Sequence, residues 1–276
     1  GNTVISGSAI ATTTGSLTKD GAGFLTLSIS NSYSGGTNLN NGKLAVNASG
    51  ALGTSGTISF GGGTLQYTSS NTTDYSSRFS SAANQSYAVD LNGQSVTWAS
   101  NLSSSSGTLL VTDSSIGASG VLSLTYNNTY TGSTTINSGT VSIASITDGS
   151  NAGPLGQSSA LAANLVFGGG TLQYTGSSAA STNRAYTITA GTTVTFNISN
   201  AAGTLTLNGA AASTTGSLTK VGSGTLSLAA ANSYTGLTTI NAGTLKLSIA
   251  SAISASSGVT LANVSSATLA LNGFDE

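Results

Sequence analysis

The fold is decided by one pattern, whose clearest copy reads Gly224-Thr-Leu-Ser-Leu-Ala-Ala-Ala-Asn-Ser-Tyr-Thr-Gly-Leu-Thr-Thr-Ile-Asn-Ala-Gly-Thr-Leu-Lys-Leu247. Alternating triplets such as Leu245-Lys-Leu247 place apolar residues on one side of a strand and polar residues on the other. Glycine, asparagine and serine interrupt these triplets every few residues, as tight turns require. The pattern therefore predicts short β-strands joined by turns, and no stretch of the chain has a sustained helical period.

The pattern occurs three times, with copies that begin at Gly23, Gly120 and Gly224. Inside every copy the motif glycine-x-apolar-x-apolar returns at the same distance, from Gly23 to Gly42, from Gly120 to Gly139 and from Gly224 to Gly243. One coil of three short strands and three turns fits within that distance. We therefore predict an all-β fold, a right-handed single-stranded parallel β-helix (β-solenoid) with about 19–22 residues per coil and strands about 4.8 Å apart.

A second repeated block indicates where one coil is longer. Gly61-Gly-Gly-Thr-Leu-Gln-Tyr67 recurs as Gly168-Gly-Gly-Thr-Leu-Gln-Tyr174. The step from Gly61 to Gly168 exceeds the step from Gly23 to Gly120 by ten positions, which indicates an insertion at 144–157, where the single proline, Pro154, lies. Insertions that leave the repeats on both sides recognisable are expected in loops outside the coil.

The composition restricts the partners of this 276-residue chain. Only 5% of its residues are charged, with six Lys+Arg against seven Asp+Glu, whereas about a quarter is usual. Such a neutral surface cannot attract a polyanion, so we predict no nucleic acid partner. No apolar run approaches the roughly 20 residues of a membrane helix, so we predict no membrane insertion of this segment. Because methionine is absent, we expect a fragment of a longer chain, with export signal and anchor elsewhere.

The chain has few of the residues from which catalytic sites are built. The absence of His and Cys excludes a Ser-His-Asp triad, a Cys-His pair and the usual zinc sites. The acidic residues are Asp20, Asp74, Asp90, Asp113, Asp148, Asp275 and Glu276, of which only the last two are neighbours. We therefore predict no catalytic residue, no metal and no cofactor. Asp90-Leu-Asn-Gly-Gln has some similarity to a calcium loop, but a plain Asn-Gly turn between strands is favoured.

Certain residues occupy equivalent places in the copies, and we predict that they are structural repeat positions. They are Tyr33, Tyr130, Tyr234, Asn40, Asn137, Asn241, Gly42, Gly139, Gly243, Arg78 and Arg184. The tyrosines are expected to stack on or near turns, with a carbohydrate-binding strip as the alternative. The asparagines are expected to form ladders in which each stacks its amide in a turn or satisfies backbone groups there. The arginines are expected to hydrogen-bond loop carbonyls and close the coil, and Lys19 and Lys220 to lie in solvated turns.

The chain resembles a known repeat family. Gly216-Ser-Leu-Thr-Lys-Val-Gly-Ser-Gly224 and the residues that follow it resemble the autotransporter-associated β-strand repeat, also called the passenger-associated transport repeat. Gly15–Gly23 matches similarly, whereas the middle copy has Asp113-Ser-Ser-Ile-Gly-Ala-Ser-Gly120 at the corresponding place. The resemblance covers about a third of the chain. It implies a segment of a bacterial autotransporter passenger, or of a similar large secreted surface protein, located at the cell surface.

Three functions are consistent with these observations. The first is a structural stalk or scaffold, a single segment 1–276 with repeats at 15–106, 107–209 and 216–276, which supports export and display at the cell surface or in a filament. The second is an adhesin that binds glycans or cells through polar loops at 144–157 and 68–90. If Gly107 is matched with Gly203, the interval that begins at Arg78 is ten residues longer than the one that begins at Arg184, which indicates that 81–90 is a loop missing from the second copy. The third is the non-catalytic part of a hydrolytic passenger.

Unpaired sheet edges at both ends favour end-to-end or lateral self-association. No Thr-x-Thr array recurs in coil after coil, so an ice-binding face is not predicted.

Overall fold

The computed structural model describes residues 1–274, which form 25 short β-strands and two single-turn 3-10 helices, Ser76–Arg78 and Ala162–Asn164. The strands are β1 Thr3–Ile5, β2 Leu17–Lys19, β3 Phe24–Leu27, β4 Thr37–Leu39, β5 Lys43–Val46, β6 Ile58–Phe60, β7 Thr64–Gln66, β8 Ser86–Asp90, β9 Ser95–Trp98, β10 Thr108–Thr112, β11 Val121–Leu124, β12 Thr134–Ile136, β13 Thr140–Ile143, β14 Leu165–Phe167, β15 Thr171–Tyr174, β16 Ala179–Thr182, β17 Thr187–Ile188, β18 Thr193–Ile198, β19 Thr204–Leu207, β20 Ser217–Val221, β21 Thr225–Leu228, β22 Thr238–Ile240, β23 Gly243–Leu247, β24 Val259–Leu261 and β25 Ala267–Ala270. Neither helix is long and apolar enough to cross a membrane.

The strands form a parallel β-solenoid with three faces. The first face is a nine-stranded sheet, β1-β3-β5-β7-β8-β10-β12-β14-β17, and the second is an eight-stranded sheet, β24-β22-β20-β18-β15-β13-β11-β9. The third face consists of the three-stranded sheet β2-β4-β6 and the five-stranded sheet β16-β19-β21-β23-β25. Along β17, β18 and β19 the chain visits the three faces in turn and then begins the next coil. The predicted solenoid is confirmed, with about 12 coils.

The strand register confirms the constant step inside each repeat and shows a longer coil at the insertion. Leu25 pairs with Leu44, and the corresponding pairs Leu122–Val141 and Leu226–Leu245 have the same separation along the chain. Other coils are longer, and the longest step on the first face runs from Ile136 to Phe167. That coil contains the insertion 144–157.

The predicted loop at 81–90 is wrong. Residues Ser86–Asp90 form β8, which pairs with β7 and β10 inside the first face. The error came from matching Gly107 with Gly203, because both precede a Thr-Leu strand. Counting along the sheets shows that Gly107 corresponds to Gly216: β10 follows the former, β20 follows the latter, and these strands are four coils and one face apart. The counterpart of β8 is β18, so the second copy has lost no strand.

Successive repeats are rotated around the solenoid. The strand after the first glycine of the pattern is β3 on the first face, β11 on the second and β21 on the third. From β3 the sheet order passes β5, β7, β8 and β10 before the chain reaches β11, so one repeat spans four coils plus one face. The step from β11 to β21 is the same. Equivalent residues of the three repeats therefore lie on different faces.

The core is a stack of apolar side chains in register. On the first face the inward file runs through Val89, Val111, Ile136, Phe167 and Ile188, all fully buried. Each such residue contributes about 1.5–3 kcal/mol relative to exposure. The alternate residues of the same strands point outward and are mostly uncharged, which gives the solenoid a neutral, hydroxyl-rich surface.

Candidate functional site

The three equivalent tyrosines belong to the core. Tyr33, Tyr130 and Tyr234 are fully buried. Each phenol hydroxyl is hydrogen-bonded to a threonine hydroxyl four residues later: Thr37 at 2.8 Å, Thr134 at 2.6 Å and Thr238 at 2.7 Å. Burial raises the pKa of the phenols of Tyr33 and Tyr130. An exposed carbohydrate-binding strip at these tyrosines is therefore wrong, because the rings are covered by protein.

The asparagine two residues before each tyrosine joins three coils. These side chains are buried, and their Oδ1 atoms accept backbone N–H groups of the preceding coil while their Nδ2 atoms donate to carbonyls of the following coil. The contacts are Ile10–Asn31–Ala51 at 2.8 and 2.7 Å, Leu102–Asn128–Pro154 at 2.9 and 2.8 Å, and Ala211–Asn232–Ala252 at 2.7 and 2.9 Å. Sequence reasoning missed this role, although the fixed Asn-x-Tyr spacing was visible.

The asparagines selected from the sequence behave differently. Asn40, Asn137 and Asn241 are exposed at the ends of β4, β12 and β22. These three strands lie on the third, first and second faces respectively. An amide ladder among them is therefore wrong, because the rotation of the repeats separates them.

We expect Tyr130→Phe to lower the free energy of unfolding by about 1 kcal/mol, the usual net value of a buried hydrogen bond. The reason is that the substitution removes the phenol partner of the buried Thr134 hydroxyl and leaves the ring in place. Urea unfolding would measure the change. Tyr126→Phe is the matched control, because Tyr126 is 51% exposed whereas Tyr130 is fully buried. Equal losses in both variants would contradict the assignment.

The repeated glycines occupy turns that a side chain would not fit. Gly42, Gly139 and Gly243 have φ of 68°, 71° and 65°, in the left-handed region. A Cβ atom at Gly42 would lie 2.4 Å from the carbonyl oxygen of Gly23 in the preceding coil. The constant spacing of these glycines thus arises because coils approach each other closely at this turn.

Two lysines occupy the interior of the same turns. Lys19 and Lys220 are 5% and 0% exposed, so the predicted solvated turn is wrong. The Nζ of Lys220 donates to the carbonyls of Val221, Gly222 and Ala242 at 2.7, 2.8 and 3.2 Å. The Nζ of Lys19 donates to three corresponding carbonyls. Burial lowers the pKa of Lys220 to about 8.

The middle repeat fills this turn with a carboxylate. There the position of the lysine is taken by Val111, and Asp113 follows two residues later. Its Oδ1 accepts the N–H groups of Gly93 at 2.8 Å and Ser115 at 3.0 Å. Burial alone would raise the pKa of Asp113, but these N–H donors outweigh it and hold the pKa below its usual range. In the middle repeat this turn is thus closed by a carboxylate that accepts backbone N–H groups, whereas in the other two repeats it is closed by a lysine that donates to backbone carbonyls.

Each of the two arginines donates hydrogen bonds to one loop. Arg78 is half-buried and donates to the carbonyls of residues 52, 53, 55 and 56. Arg184 is 2% exposed and donates to Gly156 O at 2.7 Å, to Ser158 Oγ at 3.0 Å, and at 3.3 Å to the carbonyls of Thr147 and Ser158. The arginine that belongs to the longer loop is therefore the more deeply buried one.

The segment with some similarity to a calcium loop is an Asn-Gly turn. Asn92 and Gly93 have φ of 47° and 78° between β8 and β9. Asp90 is fully buried, and its carboxylate accepts Lys43 Nζ at 2.6 Å and Gln66 Nε2 at 2.8 Å. Burial alone would raise the pKa of Asp90, but these donors outweigh it and lower the pKa. Asp275 and Glu276 lie outside the described residues.

A cavity of about 210 Å³ opens beside the insertion. It lies where β11, β13 and β15 of the second face end, and the hydroxyl-bearing residues Ser123, Thr125, Ser142, Ser145 and Thr175 are among those that line it. Pro154, which is buried in the insertion, contributes one wall. No charged residue lines the cavity. Sequence reasoning placed an insertion here but could not show that its wall completes a cavity.

The outward side of the second face carries a ladder of threonines. The ladder extends over six consecutive coils with direct register, and consists of Thr140, Thr171, Thr195, Thr219, Thr239 and Thr260. The positions two residues further along are mixed, beginning with Ser142, Gln173 and Asn197. The face is thus a threonine file beside a file that is polar from Ser123 to Asn197 and continues with Val221, which differs from a Thr-x-Thr array. Within the eight strands of this face, the charged residue is Lys220, which points inward.

Comparison with known proteins agrees with the repeat pattern. The family model described as the passenger-associated transport repeat matches residues 17–46, 119–143 and 218–247. The chain is 37% identical over 220 residues to a protein named Adhesin BmaC autotransporter from Brucella suis biovar 1 (strain 1330). That alignment covers 75% of this chain and 6% of the relative, so the chain spans a small part of the relative's length. No solved structure matches.

Proposed function

This chain belongs to the passenger-associated transport repeat family, as a segment of a secreted bacterial surface passenger, and we propose that it works as a rigid stalk. The observation that carries the proposal is the parallel stacking of about 12 coils. Strands inside the stack pair on both sides, and buried asparagine, tyrosine, lysine and arginine side chains tie one coil to the next. Such a structure resists bending without disulfides or metal ions. In the proposed repeats 15–106, 107–209 and 216–276 the buried asparagine and tyrosine recur on a different face each time.

Removal of this segment from the surface protein that carries it is expected to bring the outer end of that protein about 60 Å closer to the cell, since about 12 coils are stacked at about 4.8 Å each. Electron microscopy of an epitope tag on the outer end would measure the distance, with secretion quantified in parallel. An unchanged distance with normal secretion would contradict the stalk.

Adhesion is the second candidate, and two observations favour it. The relative is named an adhesin. The insertion 144–157 also builds an outward-facing cavity. The other predicted loop, 68–90, supports adhesion less, because β8 lies within it and the side chains of Asn71, Tyr75 and Ser76 are buried. We therefore assign any adhesive contact of this segment to the insertion.

We propose that the segment is not catalytic and that the hydrolytic alternative would need residues from elsewhere. Neither the family description nor the relative's name indicates an enzyme. The buried carboxylates Asp90 and Asp113 already accept several N–H donors each, which leaves them little capacity for proton transfer.

Self-association stays a proposal for the outer edges of β1 at one end and of β24 and β25 at the other, which have no partner among residues 1–274.

A further inference from the structure

We propose that the cavity beside the insertion binds one sugar residue of an uncharged glycan, and that outward polar side chains of the second face bind the sugar residues that follow it. This inference rests on the adhesive candidate and specifies its ligand. It is independent of the stalk, because a stalk needs no ligand.

The lining of the cavity has the chemistry of a sugar site. The hydroxyls of Ser123, Ser142 and Ser145 have no hydrogen-bond partner among residues 1–274, so they are free to bind a ligand. A hydroxyl both donates and accepts, as the hydroxyls of a sugar do. The volume of about 210 Å³ is below the roughly 300–1,000 Å³ of pockets for drug-sized ligands. It therefore suits a single ring, with the rest of the ligand outside.

An exposed aromatic residue directly follows the cavity lining along the chain. Tyr126 follows Thr125, which lines the cavity, and is 51% exposed. Among the aromatic residues of this chain it is the most exposed, since the other tyrosines and the tryptophan are buried. A tyrosine with one apolar face and a polar tip in water is suited to a ligand that is itself partly apolar and partly hydroxylated. The C–H face of a sugar ring is such a surface.

The absence of charge selects the class of glycan. An acidic sugar would need a lysine or arginine, and no charged residue lines the cavity. The outward residues of β11, β13 and β15 are also uncharged. A polypeptide could not add a strand here, because the backbone of these central strands is already paired on both sides. The face therefore favours a neutral glycan over an acidic glycan or a peptide.

The polar file extends the surface beyond the cavity. Ser123, Ser142, Gln173 and Asn197 lie in register on adjacent strands. Adjacent strands are about 4.8 Å apart, so the file offers a polar group at that interval along the solenoid axis. A glycan lying along the axis would meet one such group at each strand.

The test is binding of the folded chain to an array of immobilised neutral, sialylated and uronic-acid oligosaccharides, followed by calorimetric titration of the strongest neutral ligand. We expect Tyr126→Ala and Ser142→Glu each to weaken that binding by at least about tenfold. Thr206→Glu is the matched control, because Thr206 also points outward from a strand but lies on the third face. We expect it to bind as the unaltered chain does.

The outcomes separate this inference from the stalk. Thermal unfolding of all variants is measured alongside, so a failure of the fold is seen separately from a failure of binding. No signal on the array from folded protein would overturn the inference. Binding to acidic oligosaccharides alone, or binding to neutral ones that both Tyr126→Ala and Ser142→Glu retain, would also overturn it. So would an array without hits if the chain instead binds a protein and Tyr126→Ala abolishes that binding.

Discussion

Arg184→Ala is expected to lower the free energy of unfolding by about 3 kcal/mol, because the substitution leaves buried acceptors without a donor. The Gly156 carbonyl and the Ser158 hydroxyl have no other hydrogen-bond donor among residues 1–274. Each buried group left unsatisfied costs about 1–3 kcal/mol, and the space vacated by a large side chain adds to this. The variant no longer has to remove a charged guanidinium from water when it folds, and this offsets part of the cost.

The damage should begin in the insertion. Hydrogen exchange resolved by residue would show it as faster exchange at the Ser150 amide, which donates to the Ser158 carbonyl at 2.7 Å. Arg78→Ala is the first control and should cost less, because Arg78 is half-buried and contacts a shorter loop. Arg184→Lys is the second control and should restore only part of the loss, because an ammonium lacks the planar fork of five N–H donors. A loss in Arg78→Ala equal to that in Arg184→Ala would contradict the ranking by burial.

The coil could be predicted from the sequence, whereas the rotation of the repeats could not. The regular return of glycine before an apolar-x-apolar triplet marks turns in which Gly42, Gly139 and Gly243 need a left-handed backbone and leave no room for a Cβ atom. The longer coils have no such marker in the sequence. Gly203 and Gly216 both precede a hydroxyl-bearing residue and a leucine, as Gly107 does, so either could be matched with Gly107 and only strand pairing separates them.

The interior polar residues and the outer ladder were missed for physical reasons. Lysine is rarely buried, and nothing in the sequence shows that three carbonyls converge on the Nζ of Lys220. The threonine ladder is invisible in the sequence because its members, at positions 140, 171, 195, 219, 239 and 260, are unevenly spaced. Loops of different length lie between them, so a regular surface arises from an irregular sequence period.

Lys220 is expected to make the chain more stable as the pH rises above about 8, by up to about 3 kcal/mol near pH 10.5, and the buried tyrosines are expected to offset this gain from about pH 9 upwards. The rise comes from Lys220, whose pKa is about 8 in the folded chain against 10.5 for an unperturbed lysine. Below pH 8 both states hold the proton, so this lysine gives no pH dependence. Between the two pKa values the unfolded state binds more protons, so stability increases with pH. Lys220→Met should flatten this rise, and urea unfolding at intervals of half a pH unit would measure it.

The loss of stability towards high pH has a separate origin, which makes the profile diagnostic. Burial raises the pKa of the phenols of Tyr33, Tyr67, Tyr87, Tyr130 and Tyr186 above the ordinary value of 10. The folded state therefore keeps protons that the unfolded state releases, and stability is lost as the pH rises past 10. Lys220→Met should retain this fall, because the tyrosines are unchanged. Identical profiles of the unaltered chain and Lys220→Met from pH 8 to 10 would show that the buried ammonium carries no desolvation cost, and that its three carbonyls fully replace the water it has lost.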